Sequence, residues 1–186
     1  MSAAITTDRL LRQTVQGSRR ASNYLWAVVT AIGGIGFFLA GLSSYFHVNL
    51  LLVSDPRGLQ FIPQGIALLF YGTVGSAISL YQWLTILWDL GSGYNEFDKD
   101  AGTATVFRWG FPGKNRRIEI SVPLDDVLAV YADIKEGLNP KRSLYLRVKN
   151  RQPIPLTRAG EPLPLSDLES CGADLARFLG LPLEGL

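Results

Sequence analysis

YLWAVVTAIGGIGFFLAGLSSYF, from Tyr24 to Phe46, and GIALLFYGTVGSAISLYQWLTILW, from Gly65 to Trp88, decide the fold of this chain. Neither contains Asp, Glu, Lys, Arg or His. A helix needs about 20 mostly apolar residues to cross a hydrocarbon core of about 30 Å, and each stretch is long enough. Tyr24 and Trp26 open the first and Tyr45 and Phe46 close it, while Trp83 and Trp88 lie near the end of the second, as expected of rings among lipid headgroups. A soluble chain of 186 residues has too little remaining surface to cover two helices that are apolar all round. The pattern predicts two spanning helices, 24–46 and 65–88, joined by a connection over 47–64.

The first stretch is too long, starts too late and lacks the small-residue cleavage site of a signal peptide, so it is expected to remain in the mature protein. Residues 1–23 form a basic N-terminal arm with Arg9, Arg12, Arg19 and Arg20 against Asp8, and the connection holds only Arg57 as a basic residue. Flanking Lys and Arg mark the side from which insertion starts, which predicts a lumenal connection and both termini on the cytoplasmic side or its organellar equivalent. After the second span Asp89, Glu96, Asp98 and Asp100 outnumber Lys99, but acidic residues carry little weight in that rule. A net charge of +2 gives no argument for nucleic acid, and the basic arm is explained by topology and anionic lipid. With Cys171 as the only cysteine, an internal disulfide and a single-chain thiolate metal cluster are excluded.

Small residues within the spans allow backbones to approach where lipid supplies no ordinary hydrophobic force. Gly33, Gly34, Gly36, Ala40 and Gly41 lie in the first span and Gly72, Gly75, Ser76, Ala77 and Ser79 in the second. The pairs Gly36/Ala40, Gly72/Ser76 and Gly75/Ser79 have small-xxx-small spacing and predict packing of the two helices on each other, with a further face for another membrane protein or self-association left open.

Residues 91–186 are long enough for a small independent domain. Strand signals cover Tyr94 to Phe97, Thr103 to Trp109, the RIEISV segment, Val127 to Ile134 and LYLRVK, separated by turn-like DKDAG and by Gly110, Pro112, Gly113 and Asn115. Ile118, Ile120 and Val122 share one face of their strand, and Leu144, Leu146 and Val148 share one of theirs. Residues 152–157 predict a short edge strand that tolerates Pro153 and Pro155. Ser166 followed by Glu169 matches a capping box, and Leu168, Cys171, Leu175, Phe178 and Leu179 form an apolar stripe before Gly180 and Pro182. The predicted class is an alpha+beta membrane protein: a two-helix transmembrane hairpin followed by a small antiparallel-sheet domain with a C-terminal helix, pleckstrin-homology-like in outline.

The residues offer no catalytic constellation. His47, the lone histidine, sits at a membrane boundary and suits a turn, while Cys171 on the helix stripe suits core packing. Zinc-protease, phosphate-loop and dinucleotide fingerprints are absent from the sequence. Asp125 and Asp126, being adjacent, suit a turn or solvated surface. Neither span holds the carboxylate a proton or ion relay needs. The tail does hold two basic and aromatic clusters. Arg108, Trp109, Phe111, Lys114, Arg116 and Arg117 surround a Gly/Pro turn in FRWGFPGKNRR; Pro140, Lys141, Arg142 and Tyr145 form the second. Rigid guanidinium forks beside aromatic rings suit partner-protein docking, with membrane headgroup contact and a merely solvated turn as the competing readings.

FIPQGIALLFYG at Phe61 to Gly72, GYNEFDK at Gly93 to Lys99, FRWGFPGKNRRI at Phe107 to Ile118, NPKRSLYLRVK at Asn139 to Lys149 and IPLTR at Ile154 to Arg158 carry a resemblance over almost the entire chain. In these segments the chain resembles the photosystem I assembly protein family of cyanobacteria and chloroplasts. That resemblance implies a non-enzymatic thylakoid assembly factor or scaffold that assists biogenesis of photosystem I and contacts its subunits and assembly intermediates, with its tail on the cytoplasmic or stromal side; the alternative reading is a general membrane adaptor or lipid-sensing module. The residues themselves supply no ligand set for permanent chlorophyll or iron–sulfur binding, so no cofactor is expected.

Overall fold

The computed structural model describes residues 4–51, 54–135, 137, 141–157 and 164–185. They divide into two compact units, one formed by residues 18–90 and the other by the arm together with residues from 91 onward.

The first unit is a helical hairpin. Helix α1 (Ala21–Phe46) and helix α2 (Ile66–Leu87, extended by a one-turn lead-in at Phe61–Gly65) are each long and apolar enough to cross a membrane. At 1.5 Å per residue they are about 39 and about 33 Å long. Most of both helices is uncovered, with Trp26, Ile32, Phe70 and Tyr71 all more than three-fifths exposed. Buried core helices of a soluble protein would not leave such rings and chains bare. Thr30 donates its hydroxyl to the Trp26 carbonyl and Thr73 to that of Leu69, which satisfies both groups without water.

The helices pack through small residues recurring every seventh position. Ala27, Gly34 and Gly41 are buried on α1, facing buried Gly65, Gly72 and Ser79 of the second arm. A Cβ on Gly72 would lie 2.2 Å from the Phe38 nitrogen, one on Gly34 2.6 Å from Gly75 and Ser76 backbone, and one on Gly41 2.7 Å from Leu69 nitrogen. Ser79 Oγ donates to the Ala27 carbonyl at 3.3 Å. Ala40 is buried, but Gly36 has open space where a side chain would stand, so the Gly36/Ala40 pair does not form one continuous contact. His47 terminates α1 in the left-handed conformation, and the connection is tied back by Ser44 Oγ donating to the Leu59 carbonyl and Leu50 N–H donating to Ser43 Oγ. At the other end Arg19 donates to the Ile86 and Leu87 carbonyls in the last turn of α2, and Ser18 donates to the Leu90 carbonyl.

The second unit holds two sheets and a helix. The arm is more than a basic leash: it supplies β1 (Ala4–Thr6) and β2 (Leu10–Val15), which join β3 (Gly93–Asp98), β4 (Thr103–Trp109) and β5 (Arg117–Pro123) in an antiparallel sheet ordered β1-β2-β3-β4-β5. Charge pattern alone reads the arm as a topology signal because β2 finds its partner only after the chain has passed through the hairpin; Leu10 pairs with Asp98 and Val15 with Gly93. The tail therefore differs from the single sheet expected. A second sheet contains β6 (Val127–Lys135), β7 (Lys141–Val148), β8 (Ile154–Pro155) and, after helix α3 (Leu165–Leu179), β9 (Leu183–Glu184), in the order β8-β7-β6-β9. The β6–β9 pair is parallel, which the intervening α3 crossover permits. Both sheets and α3 share one core: Leu11, Phe97, Val106, Val130, Leu146, Leu168 and Leu175 are among its buried members.

Helix α3 corrects two expectations. It starts at Leu165 behind Pro164 without a side-chain cap bond, so Ser166 is inside the helix and does not close a capping box with Glu169. Its buried side is Leu168, Gly172, Leu175 and Ala176, and Cys171 falls at the stripe's margin, exposed rather than in the core. Gly180 ends the helix at φ +70°, a conformation that costs glycine little.

Candidate functional site

The two clusters singled out in the tail lie on different sheets. On the first, side chains alternate between the shared core and an outer face. Arg12 on β2, Tyr94 on β3, Phe107 and Trp109 on β4 and Arg117 on β5 fall on the outer face, given the core positions of their neighbours Leu11, Asn95, Val106 and Val122. Tyr94 lies directly across from Phe107, their rings stacked with centroids 5.2 Å apart, and Phe107 meets Trp109 edge-on at 5.0 Å. Three guanidinium groups flank these rings: Arg12 is 4.0 Å from the Tyr94 centroid, Arg116 5.2 Å from Trp109 and Arg117 5.4 Å from Phe107. Such contacts hold each cation over a ring's electron-rich face. Arg12 also pairs with Glu96 at 3.6 Å.

Arg108 takes the opposite direction. Its guanidinium donates to the Tyr94 and Phe107 carbonyls at 3.0 and 2.7 Å, to Asn95 Oδ1 at 2.7 Å and to the Leu156 carbonyl at 2.8 Å. Buried Asn95 donates to that same Leu156 carbonyl at 2.9 Å. Leu156 follows β8, so Arg108 and Asn95 fasten the first sheet to the edge of the second. Burial lowers the Arg108 pKa to about 10, which leaves it charged at neutral pH. Phe111, Lys114 and Arg116 are exposed on the turn between β4 and β5.

The second cluster lies on β7. Tyr145 is half-buried on that sheet's outer face, across from Tyr131 with ring centroids 6.4 Å apart. Arg142 is half-buried near the strand's start, and Arg147 pairs with Glu184 at 2.8 Å. Lys141 opens β7, while its side chain and Pro140 lie outside the described residues.

Charge and aromatic spacing in the FRWGFPGKNRR segment do not disclose Arg12 and Tyr94 as parts of the same outer face, where the Phe107 ring lies buried beneath its neighbours; only the β2–β3–β4 register assembles them. Among the described residues, no group of three or more His, Cys, Asp or Glu could hold a metal ion.

The sequence pattern of the Ycf4 family matches residues 8–177. The chain belongs to the Ycf4 family. Among its relatives are proteins named photosystem I assembly protein Ycf4 from several cyanobacteria. The one from Rippkaea orientalis is 68% identical over 184 residues, covering 98% of each chain. That from Synechocystis sp. is 66% identical over 180 residues, covering 97% of this chain and 96% of its own. That from Microcystis aeruginosa is 64% identical over 177 residues, covering 95% and 94%. The match to the Ycf4 pattern begins before β2 and ends within α3, so β2, the hairpin and strands β3 to β8 fall within it, while β1 and β9 lie outside.

Proposed function

We propose that this chain is a non-enzymatic factor that assists assembly of photosystem I in the thylakoid membrane. The carrying observation is membership of the family across both units, with relatives of matching length named for that role. The hairpin holds the soluble unit beside the membrane where photosystem subunits accumulate, and tethering raises its effective concentration towards them. The six-residue pairing of β2 with β3 supports a topology in which the arm and the tail share one side, the cytoplasmic or stromal one by the distribution of Arg residues. Two sheets closed by α3 support the pleckstrin-homology-like outline.

Partner docking is assigned to the outer faces. Trp109 and Arg117, with Arg12 and Tyr94 beside them, offer rings and guanidinium forks on the first sheet. On the second sheet Tyr145 does so in the strand that Lys141 opens, whereas Arg142 alternates to the core side of β7, opposite Ile134 and in line with Leu144 and Leu146. Such side chains give large contact area at low entropy cost and suit acidic surfaces of photosystem subunits. Phe111 and Lys114 lie beyond these strands on the turn, from which Arg116 reaches back to the Trp109 ring. The test compares photosystem I accumulation and assembly intermediates in thylakoids with and without the protein. The expected result is loss of mature complex with accumulation of partial assemblies, restored by the full chain but not by one carrying Trp109→Ser and Arg117→Glu. Normal assembly kinetics without the protein would overturn the role; restoration by the double variant would overturn the surface.

A further inference from the structure

The β4–β5 turn lies at the end of its sheet from which the chain passes into the spans. β2 runs into that end at Val15, just before the hairpin begins, and β3 leaves it at Gly93, just after the hairpin closes. Trp109, the last residue of β4, accepts a hydrogen bond from Gly91 N–H at 2.8 Å and donates to the Ser92 carbonyl at 2.7 Å. Residues 110–116 leave from that same point, whereas the turn between β3 and β4 is at the opposite end. Gly110 N–H donates to the Arg116 carbonyl at 2.7 Å and closes the turn's base.

From Gly110 to Arg117 the chain has Lys114, Arg116 and Arg117, all exposed, and no acidic residue. Phe111 leaves 55% of its surface bare. The next acidic residue is Glu119, within β5. An exposed ring among cations, on a turn at the end of its sheet that the chain joins to the hairpin, matches the chemistry of an anionic lipid surface. The geometry points to this turn as a second membrane contact, with Phe111 seated among the headgroups and Lys114 and Arg116 on anionic lipid of the leaflet from which the hairpin emerges. A cation near such a surface favours contact by about five-fold. The hairpin already confines the turn there, so this suffices to populate the contact. It orients the soluble unit whatever partner its outer faces receive, and it stands independently of the assembly role.

The test uses the full chain in nanodiscs of phosphatidylcholine alone and of phosphatidylcholine with phosphatidylglycerol, reading amide hydrogen exchange over 110–117. Exchange is expected to be about five-fold slower or more in the anionic discs. That difference should disappear in high salt, in Lys114→Glu and in Phe111→Ser. A nitroxide at Pro112→Cys, in a Cys171→Ala chain, should become accessible to oxygen in preference to a water-soluble nickel chelate only in the anionic discs. Equal exchange in both membranes, or a difference that survives both variants, would overturn the proposal. Protection that appears only on adding a photosystem polypeptide would overturn it in favour of protein docking.

Discussion

Arg108 closes a polar junction between two sheets, and its value lies in what it would leave behind. Replacement by Met removes the guanidinium donor from the Asn95 side-chain oxygen and one of two donors from the Leu156 carbonyl among the described residues. Breaking charge-assisted bonds around a half-buried network costs about 2–4 kcal/mol, so Arg108→Met in the full chain should show a clearly lower unfolding midpoint in mild detergent. Arg108→Lys should recover only part, because an ammonium cannot reach four acceptors on one planar fork. With a pKa that burial lowers to about 10 in the folded chain, the side chain is charged in folded and unfolded chains alike at neutral pH. The variant's loss should therefore be constant from pH 6 to 8; the burial cost is relieved only as pH rises through the folded value. Cys171 gives the second residue-scale prediction. Partial burial, then Asp174 and Asp167, raise its thiol pKa above the ordinary value. Alkylation by iodoacetamide should proceed in the native chain but more slowly than for a free thiol at pH 8, still climbing with pH where ordinary thiols have levelled off. Asp174→Asn should speed it. Sequence placed both residues wrongly in direction: an Arg beside Trp reads as surface, and a Cys within an apolar stripe reads as core, because alternation does not reveal which strand end is closed over or where a stripe's margin falls.

The elements were legible in proportion to how locally their pattern is set. Both spans, and strands such as β4 and β7, follow from composition and period alone. The facing surface of the hairpin was harder, because spacing of four is conspicuous in a Gly-rich helix while Ala27, Gly34 and Gly41 recur at seven. A seven-residue recurrence keeps one side turned towards an antiparallel neighbour along the full length, which an isolated GxxxG-type pair does not require. The distinction is measurable. Gly72→Leu puts a side chain where Phe38 backbone stands 2.2 Å away and should force the helices apart, with a cost of at least about 1–3 kcal/mol. Gly36→Leu enters open space and should leave the hairpin unchanged. Disulfide formation between Ala27→Cys and Ser79→Cys in a Cys171→Ala chain reads the difference, since Ser79 Oγ reaches the Ala27 carbonyl. Efficient crosslinking in the Gly36→Leu background and its loss with Gly72→Leu are expected.

At the scale of the whole molecule, the hairpin interrupts a sheet. β2 precedes the spans and pairs along all six of its residues with β3, which follows them, while Leu11 contributes to the core of both sheets. This long-range pairing is invisible to local periodicity: LLRQTV carries too few alternating apolar residues to announce a strand, and its basic neighbours draw attention to topology instead. The consequence is an order of events. The unit after the hairpin lacks an interior strand until the arm meets it, so with the proposed topology the sheet is completed only when both helices have inserted and returned the chain to the side of the arm. Removing residues 1–15 should leave the hairpin helices intact but expose the long edge of β3 and open the core at Leu11, giving a tail that proteases cut rapidly in otherwise inserted protein. Leu11→Ala isolates the packing part of this effect from the pairing part, with an expected loss of about 2–4 kcal/mol and no change in membrane insertion. Limited proteolysis in proteoliposomes, with carbonate extraction as the measure of insertion, separates the two. A tail that resists cleavage without its arm would mean that β3, β4 and β5 form a stable sheet unaided, and that the strand before the membrane decorates the fold instead of completing it.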